Sequence, residues 1–253
     1  MPHEIITVPC RTDNYAYLLR VGDRTALIDV PEAAPILAAL DARGWGLDEI
    51  WITHHHDDHV EGVPEVRERT GATVTGATAD AHRLPPLDRQ VTDGETFDFA
   101  GMEVRVMDVS GHTVGHVAFH VPEAGAVFTA DSLMALGCGR VFEGTPEQMW
   151  ESLSKLAALP PETLVYSGHE YTETNARFAL TVDPTNPGLN DRVQEIAAAR
   201  SRGEPTVPVA LRRELDTNPF LRAGLSPMKR SLDMEGRPDA DVFAEIRRRK
   251  DSF

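Results

Sequence analysis

The segment Thr53-His54-His55-His56-Asp57-Asp58-His59 places four of the chain's ten histidines beside two acids. Within it, His54, His56, Asp58 and His59 spell H-x-H-x-D-H. Neutral imidazole nitrogens and a carboxylate oxygen form a donor set that suits zinc, iron or manganese. Alternation within an extended turn sends His54 and His56 to one side, while Asp58 and His59 face another. Two metals close together would use both sides. The plain alternative is a solvated loop with chance histidine density, and three further segments weigh against it. His112 lies among small, turn-forming residues in Val109-Ser110-Gly111-His112-Thr113-Val114-Gly115-His116. Asp131 stands at the tip of the apolar run Val127-Phe128-Thr129-Ala130. His169 follows Val165-Tyr166-Ser167-Gly168 in the same way. Each candidate donor comes just after a predicted strand, and strand ends that converge on one sheet edge are where α/β sites form.

The elements that must carry these donors can be read from pattern. Runs over 15–21 and 25–30 flank a Gly-Asp turn and predict a hairpin. Residues 33–43 have helical spacing and stop before Gly44, and 60–70 do the same before Gly71. A short strand over 49–52 runs into the histidine segment. Further strands are predicted over 102–109, 116–121, 126–130 and 163–167. Thr145 caps a helix over 145–159, with Pro146 in its first turn. After Tyr171 helical patterns dominate, broken at Asp183-Pro184-Thr185-Asn186-Pro187-Gly188 and at Gly203-Glu204-Pro205. The expected organisation is a mixed α/β domain over 1–171 and a helical domain over 172–253.

A chain of 253 residues with 41% hydrophobic content can fill a core of this size. No apolar run approaches the roughly 18–20 residues that span a bilayer. The start, MPHEIITVPC, lacks the pattern of a secretory signal. Cys10 and Cys138 are the only cysteines and make no disulfide framework, so a reducing, cytoplasmic setting is expected. A formal net charge of −15 argues against nucleic-acid partners. It also requires that an anionic substrate be drawn by a local basic cluster.

The donor segments together resemble the metallo-β-lactamase superfamily, whose αββα sandwich holds one or two metals at the sheet edges. The likeness is closer to the glyoxalase II (hydroxyacylglutathione hydrolase) family. It runs from Asp13-Asn14-Tyr15 to the C-terminus through GCGRVFEGT at 137–145, GHEYT at 168–172, GEPTVP at 203–208, NPFLR at 218–222 and RRRKDSF at 247–253. H-x-H-x-D-H alone indicates only the superfamily; GHEYT and the tail indicate the family.

Carried over by residue, the resemblance implies that His54, His56 and His112 hold the first metal. It puts Asp58, His59 and His169 on the second, with Asp131 bridging the two. Zinc is the expected ion, with iron or manganese as alternatives. A hydroxide shared by both metals is implied, with Asp58 and Asp131 as the catalytic carboxylates and Asp29 orienting the site from behind. His55, Asp57, His116 and His120 are not ligands in the pattern. Arg140, Phe142, His169, Tyr171, Arg247 and Lys250 fall on substrate-binding positions, the last two facing the glycine carboxylate of glutathione. Some relatives carry lysine and tyrosine where Arg140 and Phe142 stand.

The chemistry agrees with that resemblance. Bulk water has a pKa of about 15.7, and coordination to zinc lowers it to about 7. A thioester releases a thiolate whose conjugate acid has a pKa of about 8.5, so it needs no strong general acid. Cys138 has no thiolate-activating partner in the sequence and is not expected to be the nucleophile. The resemblance implies hydrolysis of S-(2-hydroxyacyl)glutathione, S-D-lactoylglutathione first, as the second step of methylglyoxal detoxification by a monomer. The rivals are a persulfide dioxygenase, a lactonase-like hydrolase and an inactive metal-binding scaffold. The long tail ending in RRRKDSF argues against the dioxygenase.

Overall fold

The computed structural model describes residues 2–253. Its contacts divide the chain into two units, Met1–Asp108 with Val114–Thr129, and Val109–Thr113 with Ala130–Phe253.

The first unit opens with the antiparallel strands β1 (His3–Cys10), β2 (Asn14–Val21) and β3 (Arg24–Ile28). The helix α1 (Ala33–Arg43) stops where expected, at Gly44, whose left-handed φ of 65° lets its N–H reach the last carbonyls. Next comes β4 (Glu49–Trp51), parallel to β3 with Trp51 opposite Ile28. The single helix expected over 60–70 is two: α2 (Asp57–Val60) and α3 (Val63–Thr70). Gly62 makes the break. Its N–H bonds the Val30 carbonyl at 2.9 Å, and a Cβ there would stand 2.8 Å from Val30 Cγ1. The strands β5 (Thr73–Ala77) and β6 (Arg89–Val91) extend this sheet in the order β1-β2-β3-β4-β5-β6. The strands β7 (Thr96–Phe99), β8 (Met102–Asp108), β9 (Val117–Val121) and β10 (Ala126–Ala130) pair antiparallel in sequence.

Leu18, Leu27, Ile50 and Val74 of the first sheet cluster with Ile36 and Leu40 of α1 and Val66 of α3. Trp51 meets Phe97 and Phe99 edge-on at 5.4 and 5.3 Å and Phe119 at 5.5 Å, joining the two strand layers. Such aromatic pairs contribute about 0.5–1.5 kcal/mol each beyond area burial. Because β3 and β4 are parallel, Asp29 and the Thr53-His54 segment leave the sheet at the same edge.

The second unit contains the hairpin β11 (Leu133–Met134) and β12 (Gly137–Cys138), turning through Ala135 and Leu136, with Leu136 at φ 55°. The helix α4 (Pro146–Ala157) starts with a capping box, in which Gln148 N–H donates to Thr145 Oγ1 at 3.2 Å and Thr145 N–H donates to Gln148 Oε1 at 2.9 Å. After β13 (Leu164–Ser167) come α5 (Thr172–Val182) and α6 (Pro187–Ser201). The strand β14 (Val209–Ala210) returns to pair antiparallel with β13, a pairing too short to leave an alternating pattern in the sequence. The helices α7 (Leu211–Thr217), α8 (Ser226–Ser231) and α9 (Asp239–Asp251) follow. Val242, Phe243 and Ile246 are the buried apolar stripe of α9.

Candidate active site

The candidate residues form one set in each unit. In the first, Asp29 is buried and takes a left-handed φ of 57° at the end of β3. Its Oδ1 accepts the Thr53 N–H at 2.8 Å, and its Oδ2 accepts the Thr53 hydroxyl and His59 Nδ1–H, each at 2.8 Å. A carboxylate can only accept here, so His59 keeps its lone pair on Nε2. The Thr53 hydroxyl has spent its one proton on Asp29 and therefore accepts from His54 Nδ1–H at 3.0 Å. The His54 lone pair is then on Nε2, 3.2 Å from His56 Nδ1. Two nitrogens about 2.0–2.1 Å from one tetrahedral ion would be about 3.3 Å apart, so the pair fits a shared metal.

Asp29, His54 and His59 each offer an atom within 4.8 Å of the others. With both its oxygens engaged by Thr53 and His59, Asp29 acts as the anchor of the imidazoles. Asp58 sits in the first turn of α2, where Asn14 Nδ2 reaches its Oδ2 at 3.0 Å and its carbonyl at 3.1 Å. His59 Nε2 lies 4.0 Å from the same Asp58 oxygen.

His55, His116 and His120 stand outside the ligand pattern. His55 Nδ1 lies 2.9 Å from Asp80 Oδ2, and Asp80 Oδ1 accepts Arg83 Nε–H at 2.8 Å. Arg83 in turn donates to the Val114 carbonyl at 2.9 Å. His116 is fully buried and stacks on His54, centroids 4.5 Å apart at 11°. His120 is buried in β9, and burial lowers its pKa.

In the second unit Asp131 follows β10 and His169 follows β13, and the Gly168 N–H to Ala130 carbonyl bond of 3.0 Å sets the two loops side by side. Asp131 Oδ2 is 3.2 Å from His169 Nε2 and 3.6 Å from His112 Nε2. His112 Nδ1 donates to the Arg140 carbonyl at 2.7 Å, so its Nε2 carries a lone pair toward an anionic oxygen. Two such atoms repel unless a cation stands with them. The donor chemistry of both sets therefore fits divalent metal ions.

The expected substrate residues fall in the second unit. Tyr171 stacks on His169 at 4.6 Å and 8°, and Phe142 meets His112 edge-on at 5.3 Å. Both are exposed. Arg140 lies over Phe142 at 5.6 Å, and its Nε is 3.8 Å from Asp251 Oδ1. Lys250 Nζ sits between the rings of Phe178 and Phe253 at 5.4 and 5.2 Å. Burial, then Arg247 and Arg177, push its pKa down to about 8. Arg247 turns inward at 8% exposure. It grips Asp251 Oδ1 from Nε at 3.0 Å and Nη2 at 2.8 Å, and the Cys138 carbonyl from Nη1 at 2.9 Å. Burial pushes the Cys138 thiol up to about 11, which keeps it protonated and unreactive.

Asn14, Thr53, Asp80 and Arg83 were not assigned roles from sequence. Asn14 left one signal, as part of the Asp13-Asn14-Tyr15 resemblance.

Residues 11–169 match the family described as the metallo-beta-lactamase superfamily, and residues 170–253 match the hydroxyacylglutathione hydrolase C-terminus. A hydroxyacylglutathione hydrolase of Ruegeria pomeroyi is 64% identical over 255 residues, covering 100% of each chain. The crystal structure of BLEG-1 B3 metallo-beta-lactamase superposes with a TM-score of 0.68 at 20% identity, over 86% of this chain and 99% of its own. TTHA1623, solved in a di-iron-bound form, superposes with a TM-score of 0.58 at 29% identity, over 64% of this chain and 90% of its own. The metallo-β-lactamase fold and the helical C-terminal region implied by the sequence are both present.

Proposed function

The chain belongs to the hydroxyacylglutathione hydrolase family of the metallo-β-lactamase superfamily, and on that premise we propose a residue-level account of how it hydrolyses glutathione thioesters. The reaction is thioester hydrolysis, releasing glutathione and a 2-hydroxy acid. D-Lactoyl is the proposed acyl group. The carrying observation is the end-to-end likeness to a hydroxyacylglutathione hydrolase, helical tail included.

His54, His56 and His112 are proposed to hold one divalent ion, Asp58, His59 and His169 the other, and Asp131 to join them. When bound, such a pair acidifies a water and polarises the thioester carbonyl. Zinc is proposed, with iron or manganese as alternatives. The chain's own part is to fix its donors. Asp29 and Thr53 set the tautomers of His59 and His54, the Arg140 carbonyl sets that of His112, and Asn14 steadies Asp58. The Asp58 and Asp131 carboxylates orient the water by accepting from it. The thiolate departs without a protonated donor.

Lys250 is proposed to receive the glycine carboxylate with help from Arg140; Arg247, expected beside Lys250 at that carboxylate, instead turns onto Asp251 and the Cys138 carbonyl. Tyr171 and Phe142 supply flat surfaces beside His169 and His112 for the rest of the peptide. A cytoplasmic monomer is proposed, within the domain division at 171. Among the described residues no helix is long and apolar enough to cross a membrane.

A hydrolysis panel tests this. S-D-lactoylglutathione should turn over, its coenzyme A or simple alkyl counterparts should not, and glutathione persulfide should draw no oxygen. Lys250→Ala should raise KM about tenfold or more, the magnitude of a hydrogen bond to a charged group, and leave kcat close to wild type. Lys250 loses its charge as pH rises through about 8, so the Kd of S-methylglutathione should climb above that pH in the wild type and stay flat in the variant. An unchanged KM in Lys250→Ala would remove the lysine from the substrate site.

A further inference from the structure

We propose that Glu214 and Asn218, in and just after α7, are positioning residues that set His112 against Asp131 by holding the β11–β12 hairpin. The proposal rests on the metal-ligand assignment above.

The hairpin is too short to satisfy its own backbone, and buried peptide groups need partners. Side chains from three helical segments supply them at five consecutive residues. Asn218 Nδ2 lies 3.1 Å from the Met134 carbonyl and 3.0 Å from the Gly137 carbonyl. Asn175 of α5 donates to the Ala135 carbonyl at 3.1 Å. Glu214 Oε2 accepts the Leu136 N–H at 2.8 Å and an Asn218 Nδ2–H at 2.9 Å. Arg247 of α9 takes the Cys138 carbonyl. Glu214 and Asn218 are wholly buried, and the second Glu214 oxygen pairs with the buried Arg192. A buried ion pair gives up much of its Coulombic gain to desolvation and is weak evidence for stability. What this one yields is a fixed turn at Leu136, whose φ of 55° a leucine rarely adopts.

That turn controls the site because both ends of the hairpin touch it. Asp131 precedes β11, and the Gly139 N–H bonds the Ser132 carbonyl at 3.3 Å where the strands close. Arg140, next along, provides the carbonyl that orients His112. There is no slack between them. A Cβ at Gly139 would stand 2.1 Å from the Asp131 carbonyl and 2.8 Å from His112 Nδ1. A hairpin released at its tip shifts the His112 anchor relative to Asp131. The helical tail thus does more than present cations to the substrate: it aims two of the proposed metal ligands.

The test is cobalt(II) binding to full-length Asn218→Ala and Glu214→Gln, read by the visible d–d spectrum and by competition with a chelator. Both variants should lose about 10- to 100-fold in metal affinity, the usual effect of removing a partner that orients a ligand. Their cobalt spectra should shift, and kcat should fall with KM within about threefold of wild type. Glu214→Gln strands the Arg192 charge, so if it fails to fold, Asn218→Ala, which strands none, decides the matter. A folded Asn218→Ala with wild-type spectrum and affinity overturns the proposal. A wild-type enzyme that binds cobalt yet ignores glutathione thioesters would instead sink the functional reading and leave this inference standing.

Discussion

Asp131→Asn should retain its fold and lose both metal and turnover, with kcat/KM down by more than about 100-fold. Removing a group that merely orients a ligand costs about 10- to 100-fold, so removing the proposed shared ligand should exceed that range. The substitution preserves shape and removes the charge. Asp131 is buried, with its Oδ2 between His169 Nε2 at 3.2 Å and His112 Nε2 at 3.6 Å. An amide at that place offers one acceptor and a donor group, and no anion to balance a cation. Elemental analysis, thermal unfolding and steady-state kinetics on one preparation check all three expectations. An active Asp131→Asn that still carries two metals would refute the bridging assignment.

Asp29→Asn should cost about 10- to 100-fold in metal affinity, although no metal is proposed to touch it. Asparagine is one of the few side chains that tolerates a left-handed backbone, so the φ of 57° at this position is accommodated. The lost function is tautomeric. Asp29 accepts from Thr53 N–H, the Thr53 hydroxyl and His59 Nδ1–H. An asparagine has one oxygen for these three donors, and its NH2 turned toward His59 favours the form with the proton on Nε2. That proton occupies the lone pair the metal needs. Proton NMR of the imidazole N–H signals should show the switch directly, and competition with a chelator should show the weaker binding. Asp29→Asn with wild-type affinity would assign His59 another orienting partner.

The candidate donors could be located in the sequence because each follows a strand whose apolar run is unambiguous. Asp131 comes directly after β10, and His169 two residues after β13. The helix ends at Gly44 and Gly71 were equally plain, since both glycines take the left-handed conformation that stops a helix. Other elements left weak traces. The strand β5 contains Gly76, whose missing side chain makes room for Leu84 and Leu87, and β6 and β14 are too short to alternate. The helix predicted across Gly62 failed because a contact with Val30, distant in sequence, overrode local propensity. Least legible were the residues that aim the donors. Asn14 reaches Asp58 across 44 residues, and Glu214 reaches Leu136 across 78. A polar side chain acquires such a role only when folding buries it against a backbone group, and composition and spacing carry no record of that.

Paired divalent ions held by these histidines and aspartates are proposed to make this chain a glutathione thioesterase. Titration of the metal-free enzyme with zinc, while turnover of S-D-lactoylglutathione is followed, tests this. Activity should be absent at the outset, rise with added metal and level off at about two equivalents per chain. Full turnover by the metal-free protein, or a plateau at one equivalent, would contradict the account.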